Sequence, residues 1–200
     1  NCSFCYNLRV IANIRGLKKL DCYECYKLTV IPNIKGLKEL ICSDCPKLTV
    51  IPRIKGLFEL HCYDCPNITL IPKIKELERL FISSCNITII PKLEELKEIY
   101  LSYLKITIIP YLEKLKIVDC EYCENLTIIS RMEELDVNLF FCFNIYKNFN
   151  VLHRYLRSKR KYNNLKYYRK QRYFIQWYYS PKQAGGQRNK YSLHNIVSNN

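Results

Sequence analysis

Glycine is scarce, with five residues in 200. Gly185 and Gly186 form a lone pair, so no glycine-rich phosphate loop occurs in the sequence. Histidine is scarcer still. His61, His153 and His194 stand apart, and no serine or cysteine sits in a nucleophile motif, which removes the usual signatures of hydrolytic and transfer chemistry. No stretch approaches the ~18 consecutive apolar residues of a membrane span. Methionine occurs once, at Met132, and the chain starts at Asn1 in mid-repeat, so it is expected to be a piece of a longer protein. Acid is missing from one region: residues 146–200 carry 13 Lys and Arg and no Asp or Glu. Residues 1–145 carry 19 basic and 18 acidic residues, so almost all of the net charge of +14 belongs to the tail. That asymmetry sets a boundary near Phe143 to Asn148.

Cysteine, by contrast, is abundant and periodic. Cys2/Cys5, Cys22/Cys25, Cys42/Cys45 and Cys62/Cys65 keep a period of 20, and Cys120/Cys123 returns to it. The rest of the chain keeps the same period. The Leu37 column holds Leu17, Leu37, Leu57, Leu77, Leu96, Leu115 and Leu135; the Ile51 column holds Ile11, Ile31, Ile51, Ile71, Ile90, Ile109 and Ile129. Proline follows at 32, 52, 72, 91 and 110. Two coils are one residue shorter. The template, L-x-x-L-x-C-x-x-C-x-x-L-T-x-I-P-x-I-x-G, matches the leucine-rich repeat pattern at the short end of its range.

Aliphatics replace the cysteines in register. Ile82 and Leu101 align with Cys62, and Leu104 aligns with Cys65. Their shared property is burial, so reduced thiols acting as small apolar fillers, in an intracellular setting, are the simpler reading than disulfides. Four converging thiolates from two stacked pairs would suit zinc, but each pair splits over two separate columns and three coils lack one or both members. A redox C-x-x-C normally opens a helix, and none fits here. No cofactor, metal or catalytic residue is therefore expected. The sequons at Asn67, Asn86 and Asn125 read as by-products of the repeat phase.

Glu39-Leu40-Ile41-Cys42-Ser43 alternates with period two, which places Leu40 and Cys42 inside and Glu39, Ile41 and Ser43 outside. Stacked strands then form a parallel inner β-sheet. The Cys45 position turns the chain inward, where an Asn or Cys would bond a neighbouring coil's backbone. Pro52 suits an extended convex side, since about ten return residues are too few for a full helix. Over six coils the outward positions carry nine acids and two bases, and six of the 24 are Tyr or Phe. Aromatics amid charge have the composition of interface anchors. The residues that would meet a partner are Asp21, Tyr23, Glu24, Glu39, Asp44, Glu59, His61, Tyr63, Asp64, Phe81, Glu98, Tyr100, Tyr103, Asp119, Glu121 and Tyr122. The alternative is that Tyr is simply a good strand residue in a Tyr-rich chain.

Residues 146–179 lack Gly and Pro and read as a basic, aromatic helix; residues 180–200 read as a turn and a flexible tail. Arg157, Lys159, Arg160, Lys161, Arg169, Lys170 and Arg172 lie among aromatics, which suits phosphate contacts with base stacking. The same composition suits an anionic membrane surface, or a helix that caps the open end of a stack.

Repeats such as Leu37-Lys-Glu-Leu-Ile-Cys-Ser-Asp-Cys-Pro-Lys-Leu-Thr-Val-Ile-Pro resemble the Cys-rich leucine-rich repeat proteins of mimivirus-like giant DNA viruses. Ile175-Gln-Trp-Tyr-Tyr-Ser-Pro, followed by Gly185-Gly186 and Lys190, is similar to the C-terminal signature of many of those proteins. The resemblance implies a viral origin, with residence in the host cytoplasm or the virion, and is silent on function. The short Pro-containing repeat is also similar to bacterial leucine-rich effectors, some of which append a ubiquitin ligase with a catalytic cysteine; here no cysteine follows Cys142. The expected fold is an α/β-type, right-handed leucine-rich solenoid over residues 1–145 with 19–20-residue coils and a C-terminal basic helix. The expected function is non-catalytic recognition of a protein partner with a basic segment. Nucleic-acid association through the tail is the rival.

Overall fold

The computed structural model describes residues 1–131 and 134–146. Over them the chain forms a parallel-sheet β-solenoid of about six turns. The strands are β1 (Lys19–Asp21), β2 (Glu39–Ile41), β3 (Glu59–Tyr63), β4 (Arg79–Ser83), β5 (Glu98–Ser102), β6 (Ile108–Ile109), β7 (Ile117–Glu121), β8 (Ile128–Ile129) and β9 (Asp136–Phe140). β1, β2, β3, β4, β5, β7 and β9 stack in chain order into one sheet, and β6 pairs with β8 on the return side. Every pairing is parallel. The sole helix among the described residues is α1 (Phe143–Tyr146). The helical cap expected over 146–179 and the tail over 180–200 fall outside the described residues, apart from Tyr146 at the end of α1.

The register follows the sequence period closely. Lys19, Glu39, Glu59 and Arg79 pair at steps of 20, and Arg79, Glu98, Ile117 and Asp136 at steps of 19. One correction concerns the last coil. Leu135 does not share the Leu37 column, because Asp136 pairs with Ile117 and so places Glu134 two residues before the strand, level with Leu115. A residue is missing between Ile129 and Asp136, making a third shortened step. Alternation explains why Leu135 is buried even so: it lies on the same side as Val137 and Leu139.

The inward columns form the core. Leu37, Leu40, Leu48, Ile51 and Ile54 of one coil are all 2% exposed or less. Each such side chain gains about 1.5–3 kcal/mol on full burial. A single coil cannot realise that gain, because its upper and lower surfaces are covered only by the coils on either side.

The two cysteine columns have different tasks. Cys22 and Cys42 lie beneath the sheet, and their thiols reach the carbonyls of Ile41 and His61 at 3.2 and 3.4 Å. The second column makes a ladder. Cys25 donates to Cys2 O, Cys45 to Cys22 O and Cys65 to Cys42 O at 3.0–3.2 Å, and Cys85 and Cys142 continue it at 3.5 and 3.4 Å. Burial, then the neighbouring Cys2, pushes the Cys25 thiol up to about 12, so it keeps the proton it donates. All twelve cysteines are free. The sulfurs of Cys62 and Cys85 lie 3.8 Å apart, against ~2.05 Å for a disulfide.

A left-handed residue precedes each rung. Phe4, Glu24, Asp44, Asp64, Ser84, Tyr103, Tyr122 and Phe141 have φ between 48° and 61°. Their amides still donate to the next coil, as in Asp44 N to Tyr63 O at 2.8 Å. Sheet bonding therefore persists through the bend while the next side chain, the cysteine, turns inward. Non-glycine residues adopt this conformation at a cost, and repetition at every rung shows that the ladder outweighs it.

The sequon asparagines have a structural task as well. The Asn67 and Asn86 amides each donate to a carbonyl of the preceding coil, Pro46 O and Pro66 O, at 2.7 Å.

Candidate interaction face

The sheet gathers the expected partner-facing residues onto one surface in four columns. Glu39, Glu59 and Glu98 share the first with Lys19 and Arg79. Asp21, His61, Phe81, Tyr100 and Asp119 form the second, and Tyr23, Tyr63 and Glu121 belong to the third. Glu24, Asp44, Asp64, Tyr103 and Tyr122 occupy the left-handed positions beside it. All are half-buried or exposed. Ser43 is the exception to the outward reading: it is 1% exposed, lies between Tyr23 and Tyr63 in its column, and its hydroxyl accepts the Tyr63 amide at 3.1 Å.

The acids of the face divide into two kinds. Glu39 is bound by Lys19 at 2.6 Å, and Glu59 by Arg79 and by His61 Nε2, the latter at 2.5 Å. The other His61 nitrogen meets the Tyr63 hydroxyl at 3.2 Å. Glu39, Glu59 and His61 bring three ligand atoms within 4.8 Å of one another. A divalent cation would have to displace Lys19 and Arg79 to use them, so this corner reads as an internal charge network.

The second kind has no ion pair among the described residues. Glu24, Asp44 and Asp64 are stacked one per coil at a spacing of ~4.8 Å. Burial, then Asp64 and Glu24, raises the Asp44 carboxyl above its ordinary value. Asp119 and Glu121 form another such patch, and burial, then Asp119, raises Glu121. A raised carboxyl ionises at a cost that is full above its folded value and gone below its unfolded value. A bound cation would offset that cost.

Between these patches run aromatic stacks. His61, Phe81 and Tyr100 lie face to face, with centroids 4.3 and 4.5 Å apart and interplanar angles of 3° and 5°. Tyr103, Tyr122 and Phe141 form a second stack with centroid spacings of 4.6 Å. Such contacts contribute about 0.5–1.5 kcal/mol per pair beyond burial and hold the rings in fixed orientation.

The face is longer than the sequence reading made it. Asp136, Asn138 and Phe140 of β9 extend its three strand columns, and Asn138 donates to Asp119 at 3.3 Å. Phe4 extends it at the other end, edge-on to Tyr23 with centroids 5.5 Å apart. The signal for β9 was its alternation, hidden by the shortened coil before it. Arg157, Lys159, Arg160, Lys161, Arg169, Lys170 and Arg172, the candidate nucleic-acid contacts, lie outside the described residues. No described helix is long and apolar enough to cross a membrane. Comparison with protein-family models, with curated proteins and with solved structures returned no match.

Proposed function

We propose that this chain is a non-catalytic recognition module of the leucine-rich repeat type that captures a Lys- and Arg-rich protein segment on its sheet face. The observation that carries the reading is the pair of acidic patches, Glu24-Asp44-Asp64 and Asp119-Glu121, that have no ion pair among the described residues and flank rigid aromatic stacks. A lysine or arginine entering there would relieve like-charge repulsion at Asp44 and find ring faces or edges at Tyr100 and Tyr103. The buried, hydrogen-bonded thiols support a reducing compartment as the working environment.

A labelled (Lys-Gly-Arg-Gly)3 peptide tests this by fluorescence anisotropy. Its positive charge keeps it off the basic tail. Joint reversal of Asp44, Asp64 and Asp119 to Lys is expected to weaken capture by about tenfold or more, since each rim charge pair contributes up to ~1 kcal/mol. Unchanged affinity in a variant whose circular dichroism matches the parent would reject the reading. Affinity is also expected to drop as the pH is lowered, beginning above the ordinary carboxylate range because Asp44 and Glu121 are raised. An Asp44→Asn, Glu121→Gln variant should remove that early part of the drop; a profile identical to the parent's would show that these carboxyls are not sensed by the peptide.

A further inference from the structure

The return side carries a second surface of different chemistry. One aliphatic per coil, from Val10 to Ile128, stands at the variable position of T-x-I-P, and each is 44–69% exposed. Val50 at 63%, Leu70 at 69% and Ile89 at 66% form its centre. The row is straight, because Val10 bridges Val30 and Ile108 pairs with Ile128 in parallel register. Seven coils at ~4.8 Å give a ridge about 29 Å long. Burying large apolar groups is what folding favours, so an aliphatic held in water at every coil calls for an occupant.

Charge identifies the occupant. In the three residues on either side of each ridge aliphatic there is no Asp or Glu in any coil. Lys27, Lys47 and Lys105 lie on one side, with Arg9 next to Val10; Arg53, Lys73 and Lys92 lie on the other. All seven are exposed, and none forms an ion pair among the described residues. Three residues of extended chain span at most ~10 Å, so these cations flank the ridge directly. Arg131, the remaining basic residue of these windows, is paired with Glu134 at 3.6 Å.

Aliphatics bordered on both sides by Lys and Arg match an anionic lipid surface, with hydrocarbon taking the ridge and headgroups the cations. A second copy fits less well, because ridge-to-ridge packing would bring basic borders together. Nucleic acid fits less well too: bases stack on aromatics, and the ridge has none. We infer that the return side docks the solenoid on membranes rich in anionic lipid, laying the Val50-Leu70-Ile89 ridge into the headgroup boundary. The sheet face, on the other side of the coils, is left free.

The test uses the full chain with Trp177→Phe as background and Leu70→Trp as reporter, so that the protein holds a single indole, on the ridge. The tail is itself basic, so sedimentation with vesicles alone would not locate the contact. With vesicles of phosphatidylserine and phosphatidylcholine, emission from the ridge indole is expected to shift to the blue and to be quenched by brominated acyl chains. Phosphatidylcholine alone should give neither effect. Joint Val50→Asn and Ile89→Asn substitution in this background is expected to reduce the quenched fraction about tenfold, from the apolar area withdrawn. Binding that leaves the indole emission unchanged would assign the contact to the tail and overturn the inference. So would the absence of any vesicle binding, equal insertion into phosphatidylcholine, or a dimer in sedimentation that the two Asn substitutions abolish.

Discussion

Leu60→Ala is expected to destabilise the solenoid by about 2–5 kcal/mol, the range for emptying a fully buried leucine site. Leu60 lies in β3, 0% exposed, in register with Leu40 below and Leu80 above. Its removal opens a cavity that two neighbouring coils share, and the parallel backbone hydrogen bonds on both sides limit how far the coils can collapse to fill it. Leu70→Ala provides the contrast. Leu70 is ten residues away in the same repeat and 69% exposed, so its truncation should stay within about 0.5 kcal/mol. Urea unfolding reads both. A fall in midpoint for Leu60→Ala at constant m, with almost none for Leu70→Ala, is the expected pattern. Equal effects would mean that the inward and outward columns have been misassigned.

Removing a whole coil should be tolerated, and removing half of one should not. Deletion of residues 46–65 joins Cys45 to Pro66 and leaves every column continuous, with one rung fewer. The product is expected to keep its sheet signal and unfold cooperatively at a lower midpoint, because one set of nearest-neighbour contacts is lost. Deletion of residues 46–55 joins Cys45 to Gly56 and removes Leu48, Ile51 and Ile54 from a single coil. The stack is then interrupted, leaving short blocks with uncovered apolar ends. Loss of the cooperative transition is expected there. A half-coil deletion as stable as the whole-coil deletion would show that the twenty-residue period is not the structural unit.

Much of this architecture was legible because the cysteines mark phase. Once Cys42 and Cys45 are aligned across coils, Leu40 and Leu48 go inside and Glu39 and Asp44 outside, and the register obeys. Three features escaped. The pairing of Lys19 with Glu39 and of Arg79 with Glu59 follows from reading down columns, whereas summing charge over the face treats each acid as free. The left-handed turn at Asp44, Tyr103 and Tyr122 carries no glycine to announce it, because the inward thiol imposes that conformation. The missing residue before Asp136 displaced the last coil by one and concealed β9. The exposed aliphatic row had been visible throughout as the x of T-x-I-P, always Val, Leu or Ile, but a letter written as variable draws no attention to its chemistry.

The parallel sheet has a mechanical corollary. Its backbone hydrogen bonds run from coil to coil, so a pull on the two ends of the stack lies along the direction in which they point. Load then falls on one coil at a time, and the stack opens like a zip instead of shearing all at once. Each step would release 19 or 20 residues, roughly 65–70 Å of extended chain. A molecule of this build yields at low, even force and recloses coil by coil, making it an elastic tether between whatever holds its ends.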